Sequence, residues 1–144
     1  MFIKQITIKT EQGVSVYNLT EQIKEIVAES KIKNGNVLVF TKHTTTAIGI
    51  NEDETRLLED IKMSLEKIAP KNKKYLHDDI HLRKVPPDER INGHSHIKAL
   101  CLNKSETIPL INNELALGTW QSIMFFELDG SREREILIQV NGEV

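Results

Sequence analysis

The stretch Ser122–Val140, SIMFFELDGSREREILIQV, decides the class of fold. Ser122–Leu128 is an almost unbroken apolar run, and Ile136–Val140 is rich in β-branched residues, so both read as strands. Asp129-Gly130 between them is a two-residue hairpin signal. Working outward, Ile108–Ile111 predicts a further strand, and Asn36–Phe40 predicts a short buried one. Thr44–Ile50 reads as another extended segment. At the N-terminus, Phe2–Lys9 and Val14–Tyr17 alternate around a Gln12-Gly13 turn and predict an opening hairpin.

Between these strands the period changes. Ile23, Ile26 and Val27 fall at helical spacing after Thr20, which is expected to cap the helix, with Glu21 in its first turn. Asn34-Gly35 is the expected left-handed end of that helix. Leu57, Leu58, Ile61, Leu65 and Ile68 form one stripe of a longer amphipathic helix. A residue of Asn51-Glu52-Asp53-Glu54 is expected to cap it, and Pro70 closes it. A third, short helix is expected to start at Asn92 or Ser95 and to bury Ile97, Leu100 and Cys101. The order β-β-α-β-β-α-α-β-β-β has no repeated βαβ unit and predicts an α+β fold with three helices.

A chain of 144 residues fits one compact domain, residues 1–144. A net charge of −2, with Lys and Arg spread along the chain, argues against nucleic acid and membrane surfaces as partners. The short Lys71–Lys74 run reads as a solvated loop. The single Cys101 leaves no intramolecular disulfide and no cysteine-based zinc site, and fits a reducing compartment; it is expected to be a small buried hydrophobe. No apolar run is long enough to span a membrane, so a cytoplasmic protein is expected.

The chemistry concentrates in the middle of the chain. All five histidines lie between residues 43 and 96, among hydroxyls, carboxylates and Arg. Imidazole is both the usual acid/base at neutral pH and the commonest metal ligand. His43 follows a strand and precedes Thr44, Thr45 and Thr46, which are either strand residues or phosphate-binding hydroxyls. Glu52 stands where it could point back toward His43. His77 and His81 sit in the polar segment 70–91, beside Asp78 and Asp79, and form either a metal pair or a plain loop. In His94-Ser95-His96 a helix would turn the two rings about 200° apart. His96 is therefore the candidate, and His94 is expected to be exposed or secondary. Trp120 suits a core or subunit-interface role. Arg132 and Arg134 share one strand face, as an anion clamp or a solvated edge.

Four separated motifs then resemble one family. They are His43–Glu52, Tyr75–Asp78, Asn92–Lys98, and Leu115–Gln121 followed by Asp129–Arg132. In this order they are similar to the YjbQ-like proteins, often labelled secondary thiamine-phosphate synthases, over about residues 2–141. The resemblance implies an α+β fold containing a β-sandwich, a homotrimer, a cytoplasmic location and a weak thiamine-phosphate synthase activity. His43, His77 and His96 match the family pattern, as do Asn51-Glu52, Gly118, Trp120-Gln121, Asp129 and Arg132. His94 stands where the family is often small or apolar, and Asn113 where glycine is frequent.

The implied reaction joins an aminopyrimidine diphosphate to a thiazole phosphate and releases pyrophosphate. On that reading His43, Glu52 and His96 are catalytic, and Thr44, Thr45, Lys98, Gln121 and Arg132 hold substrate or phosphate. His43, His77 and His96 converge on a metal or a phosphate, with Glu52 or Asp79 completing the shell. Three neutral imidazoles suit Zn²⁺, whereas a departing pyrophosphate suits Mg²⁺. The competing readings are a metal-dependent hydrolase or lyase of another phosphorylated small molecule, and a non-catalytic trimeric ligand-binding protein.

Overall fold

The structure, a computed structural model, describes residues 1–144. Its strands are β1 (Phe2–Lys9), β2 (Gly13–Asn18), β3 (Asn34–Thr41), β4 (Thr46–Asn51), β5 (Ser105–Ile111), β6 (Glu114–Leu115), β7 (Ser122–Gly130) and β8 (Glu133–Glu143). The helices are α1 (Thr20–Ser30), α2 (Thr55–Ile68) and α3 (Gly93–Leu100). Two antiparallel sheets form, in the orders β1-β8-β3-β5-β6 and β2-β7-β4. The expected α+β architecture is present, as two packed sheets with three helices. None of the helices is long and apolar enough to cross a membrane.

Both expected hairpins are corrected. β7 and β8 lie in different sheets, as do β1 and β2; the pairs that form are β1 with β8 and β2 with β7. The reason is sidedness. Along β7 the side chains Ile123 and Phe125 enter the core between the sheets, while Met124, Phe126 and Leu128 pack with Ala47, Leu65 and Ala99 under the helices. A strand buried on both faces belongs in the middle of a covered sheet. β8 instead buries Arg134, Ile136, Ile138 and Val140 and leaves the intervening positions more open, as a one-sided strand does. Asp129-Gly130 therefore carries the chain across the sandwich. Thr10, at the matching corner after β1, donates its N–H to the Arg132 carbonyl and accepts the Arg132 N–H on Oγ1. Gly130 is required there, because a Cβ would strike the Glu11 carbonyl oxygen.

Smaller expectations also shift. Leu19, not Thr20, occupies the α1 cap; Asn18 Oδ1 accepts the Thr20 N–H, and Thr20 Oγ1 accepts the Ile123 N–H. The helix ends on Lys31 at φ 61°, and Asn34-Gly35 already belong to β3, where they pair with β8. Glu54 caps α2 by accepting the Arg56 and Leu57 N–H groups. Thr44 and Thr45 form a turn, and the strand starts only at Thr46. Residues 70–91 carry two short 3₁₀ turns, Leu76–Asp78 and Ile80–Leu82, so His77 and His81 share no helix.

The largest correction concerns α3. Ile97, Leu100 and Cys101 are exposed, Leu100 by 78%, and the helix instead buries His94, Ser95, Lys98 and Ala99. Ser95 Oγ donates to the Leu128 carbonyl at 2.6 Å, which turns this polar face inward against β7. Trp120 is 73% exposed, so it is not a core residue.

Candidate functional site

The site grows from the corner where three chain crossings meet. Glu127 is the last core-facing position of β7 and Arg134 the first of β8, so a carboxylate and a guanidinium close the end of the inter-sheet core. Arg134 Nε and Nη2 donate to the two Glu127 oxygens at 2.7 Å each. Glu127 also accepts from Thr10 Oγ1 and the Asp129 N–H, both at 2.8 Å. Burial alone would push this carboxyl up, but these hydrogen bonds and the Arg134 charge hold it below its ordinary value.

The β3–β4 turn sits on this floor. Thr45 Oγ1 accepts from Arg134 Nη2 at 2.8 Å, and the Thr45 carbonyl accepts the Leu128 N–H. Thr41 and Thr46 hydroxyls meet at 2.7 Å across the base of the turn. The Glu135 N–H then donates to His43 Nε2 at 3.0 Å. That bond makes Nε2 the acceptor, so the neutral ring carries its proton on Nδ1. Desolvation first, and the Arg134 charge second, lower the His43 pKa and favour this neutral state.

The opposite wall is α3, with the 3₁₀ turn Leu76–Asp78 packed behind it, so that His77 itself does not line the cleft. Asp78 Oδ1 accepts the Gly93 N–H at 2.9 Å, fastening the turn to the start of the helix. A side chain at Gly93 would approach Tyr75 Cβ to 2.7 Å, so glycine permits this docking. The docking brings His77 against His96, edge to face, with ring centroids 4.5 Å apart. Burial, and then His77, lower the His96 pKa. Two buried polar atoms here have no hydrogen-bond partner, His77 Nε2 and Asn92 Oδ1.

Between these walls lies an open cleft of about 330 Å³, lined entirely by polar residues. His43, Thr44, Thr45, His96 and Arg132, all candidates from the sequence, line it together. Lys42, Glu89, Asn92 and Arg134 join them. Arg134 uses only Nε and Nη2 for its protein bonds, leaving Nη1 donors at the cleft. Arg132 lies just outside β8 and Arg134 within it, so they do not share a strand face, yet both line the cleft; Arg134 is buried, which their i, i+2 spacing does not show.

Other expected residues lie elsewhere. Glu52 and Gln121 line a separate shallow hollow with Trp120, and Glu52 does not reach the His43 cleft. The Asn51 side chain instead accepts the Glu52 N–H. Lys98 is 1% exposed, hydrogen-bonded to Glu66 and His94, and lines a different cavity from Arg132. His94 is buried rather than exposed, because it lies on the inward face of α3. His81 is exposed, and Asp79 separates the two 3₁₀ turns without lining the cleft. The three-imidazole cage does not assemble within the protomer. No three His, Cys, Asp or Glu side chains are grouped to hold one ion, and His43 Nε2 is already occupied by a backbone N–H. Within one protomer this donor set falls short of the three or four protein ligands that a resident Zn²⁺ wants.

Comparison with known proteins agrees with the motif order. The family model described as UPF0047 protein YjbQ-like matches residues 4–143. A UPF0047 protein of Methanothermobacter thermautotrophicus is 38% identical over 143 residues, covering 99% of this chain and 94% of the relative. One from Archaeoglobus fulgidus is 40% identical over 135 residues, covering 94% and 98%. Among solved structures, a hypothetical protein from Aeropyrum pernix K1 superposes with a TM-score of 0.89 at 32% identity, covering 99% of this chain and 100% of the other. An uncharacterized protein of the same family from Clostridium acetobutylicum gives 0.85 at 34%, covering 96% and 99%. Matched over nearly its whole length in sequence and in fold, the chain belongs to the UPF0047/YjbQ-like family.

Proposed function

We propose that the polar cleft binds the phosphorylated end of a small molecule, and that the protein catalyses departure of that group in a thiamine-phosphate synthase-type coupling. The observation that carries this reading is the meeting of Lys42, Arg132 and Arg134 with His43 and His96 around one cleft. In such a coupling the thiazole nitrogen forms a bond to the pyrimidine methylene carbon. The carbon–oxygen bond to diphosphate breaks, and pyrophosphate leaves with the electron pair. The chemistry therefore demands stabilisation of growing negative charge on the leaving oxygens. Guanidinium donors left over at Arg134, the Arg132 fork and the Thr44 and Thr45 residues of the turn suit that task. His43 supplies a donor at Nδ1 whose orientation is set by Glu135. His96, with its pKa lowered, is neutral at pH 7 and serves as the proton-handling group.

A divalent cation enters this proposal as a companion of the diphosphate, whose own oxygens suit Mg²⁺. The homotrimer and the cytoplasmic location implied by the resemblance belong to the same proposal. Sedimentation velocity checks the assembly.

The test is a substrate panel run on the wild type, His96→Gln and Arg132→Gln. Synthase turnover that falls about 10²-fold or more in His96→Gln, with folding intact, supports the reading. Loss of pyrophosphate affinity in Arg132→Gln supports it as well. A hydrolytic reaction on another phosphate ester, orders of magnitude faster than coupling, would replace it. Unchanged turnover in both variants would remove the cleft from the reaction.

A further inference from the structure

A second cavity lies on the other side of α3. It has a volume of about 420 Å³ and is lined by His94, Lys98, Glu66, Lys71, Arg90 and the Asp129–Ser131 turn, among others. It shares none of its lining residues with the His43 cleft. The division follows from helix geometry: two residues apart on α3, His94 and His96 point about 200° away from each other. The wall between the cavities is the Asp129 corner. Asn92 Nδ2 and Arg132 Nη2 both donate to Asp129 Oδ2 at 2.9 Å, and Arg90 donates to the Asp129 and Ser131 carbonyls at 2.8 Å.

The feature that demands explanation is Lys98. An ammonium buried this deeply is normally paired and fully hydrogen-bonded. Its Nζ donates to Glu66 Oε2 at 2.7 Å and to His94 Nδ1 at 2.9 Å. A lysine has three N–H donors, so one is left without a protein acceptor. Its charge partner is weak compensation, since the Glu66 side chain is half in water. The bond from Lys98 also fixes the His94 tautomer. With Nδ1 accepting, the proton sits on Nε2, where the nearest partner is Ser95 Oγ at 3.5 Å, beyond good hydrogen-bonding distance. Ser95 in turn gives its own proton to the Leu128 carbonyl. Lys98 therefore keeps one spare donor and His94 one poorly engaged donor, on two buried side chains that both line this cavity. Lys71 and Arg90 on its lining keep its charge from being balanced by Glu66 and Asp129.

We infer that this second cavity is a binding site for a small oxyanion, a carboxylate or a phosphate, held by Lys98 and His94 and admitted past Lys71. The site is separate from the catalytic cleft proposed above and does not depend on that reading.

Titration of isotopically labelled protein with inorganic phosphate, and separately with acetate, tests it through the imidazole NMR signals of His94 and His96. The His94 signals move along a saturable curve with at least one of the two anions, and which one responds identifies the oxyanion. Lys98→Met abolishes that curve. Lys71→Gln, an exposed substitution that leaves the fold alone, weakens it about two- to fivefold and leaves the His96 response unchanged. Arg132→Gln does the reverse. His94 signals that respond to neither anion would mean that the cavity holds water only, and would overturn the inference. So would a His94 response that follows His96 and disappears in Arg132→Gln.

Discussion

Arg134–Glu127 and Lys98–Glu66 are both cation–carboxylate pairs at 2.7 Å, and both cations are almost fully buried. Their surroundings differ. Glu127 is wholly inaccessible and accepts four hydrogen bonds, from Arg134, Thr10 and the Asp129 N–H. Glu66 is half exposed, and Lys98 keeps a donor in reserve. The first pair closes the end of the core and ties together the corners where strands change sheets. The second opens on a cavity. Burial of charge is thus not one signal: the pair whose carboxylate is fully hydrogen-bonded holds architecture, whereas the pair whose carboxylate stands half in water leaves its cation less compensated.

The contrast can be broken experimentally. Arg134→Met leaves the Glu127 carboxylate buried without its counter-charge and is expected to cost about 3–5 kcal/mol in denaturant unfolding. Adding Glu127→Met should restore most of that loss. A single-variant cost below about 1 kcal/mol would show that the pair does not hold the corner.

Acidification probes both regions next. Burial keeps His43, His94 and His96 below the ordinary imidazole value near 6.5. Below that pH the unfolded chain takes up protons that the folded chain refuses. Their contribution is therefore complete above about pH 6.5 and is lost as pH falls toward the folded values. Glu127, also held low, is lost in a separate window below the usual carboxylate range. Thermal unfolding between about pH 7.5 and 5.5 should show a falling midpoint, and His94→Gln should flatten the slope. A midpoint that is constant or rises on acidification would contradict the neutral, buried assignment.

Lys98→Met is expected to change stability by less than about 1 kcal/mol, because Glu66 can turn to water when its partner is lost. A loss as large as that of Arg134→Met would make the two pairs equivalent and erase the distinction. The smallest effect belongs to Leu100→Ser, within about 0.5 kcal/mol, since this residue of α3 is 78% exposed in the protomer. A clear stability loss there, measured across protein concentrations, would reveal a covered face in the assembled protein.

Much of the cleft was legible beforehand. His43, Thr44, Thr45, His96 and Arg132 line one cleft, the first three and Arg132 from turns between strands and His96 from the first turn of α3. The failures share a cause. Cys101, Ile97 and Leu100 looked like a buried stripe, yet α3 is turned by the Ser95 hydrogen bond to Leu128 and by the Lys98–Glu66 pair, both made to residues distant in sequence. Glu52 stands only nine residues from His43 but opens on another hollow, since β4 runs the intervening chain away from the turn.

By itself, the sequence determined the three α-helices and all the strands but the short β6, because periodicity and capping are local properties of the chain. It also determined the family, through motifs whose order survives without coordinates. Only the tertiary structure decided which sheet receives each strand, and which face of α3 turns inward. A turn dipeptide such as Asp129-Gly130 specifies a change of direction but not the strand that waits beyond it. Partner choice is set by the two-sided burial of β7 and the one-sided burial of β8, which exist only once the sheets have met.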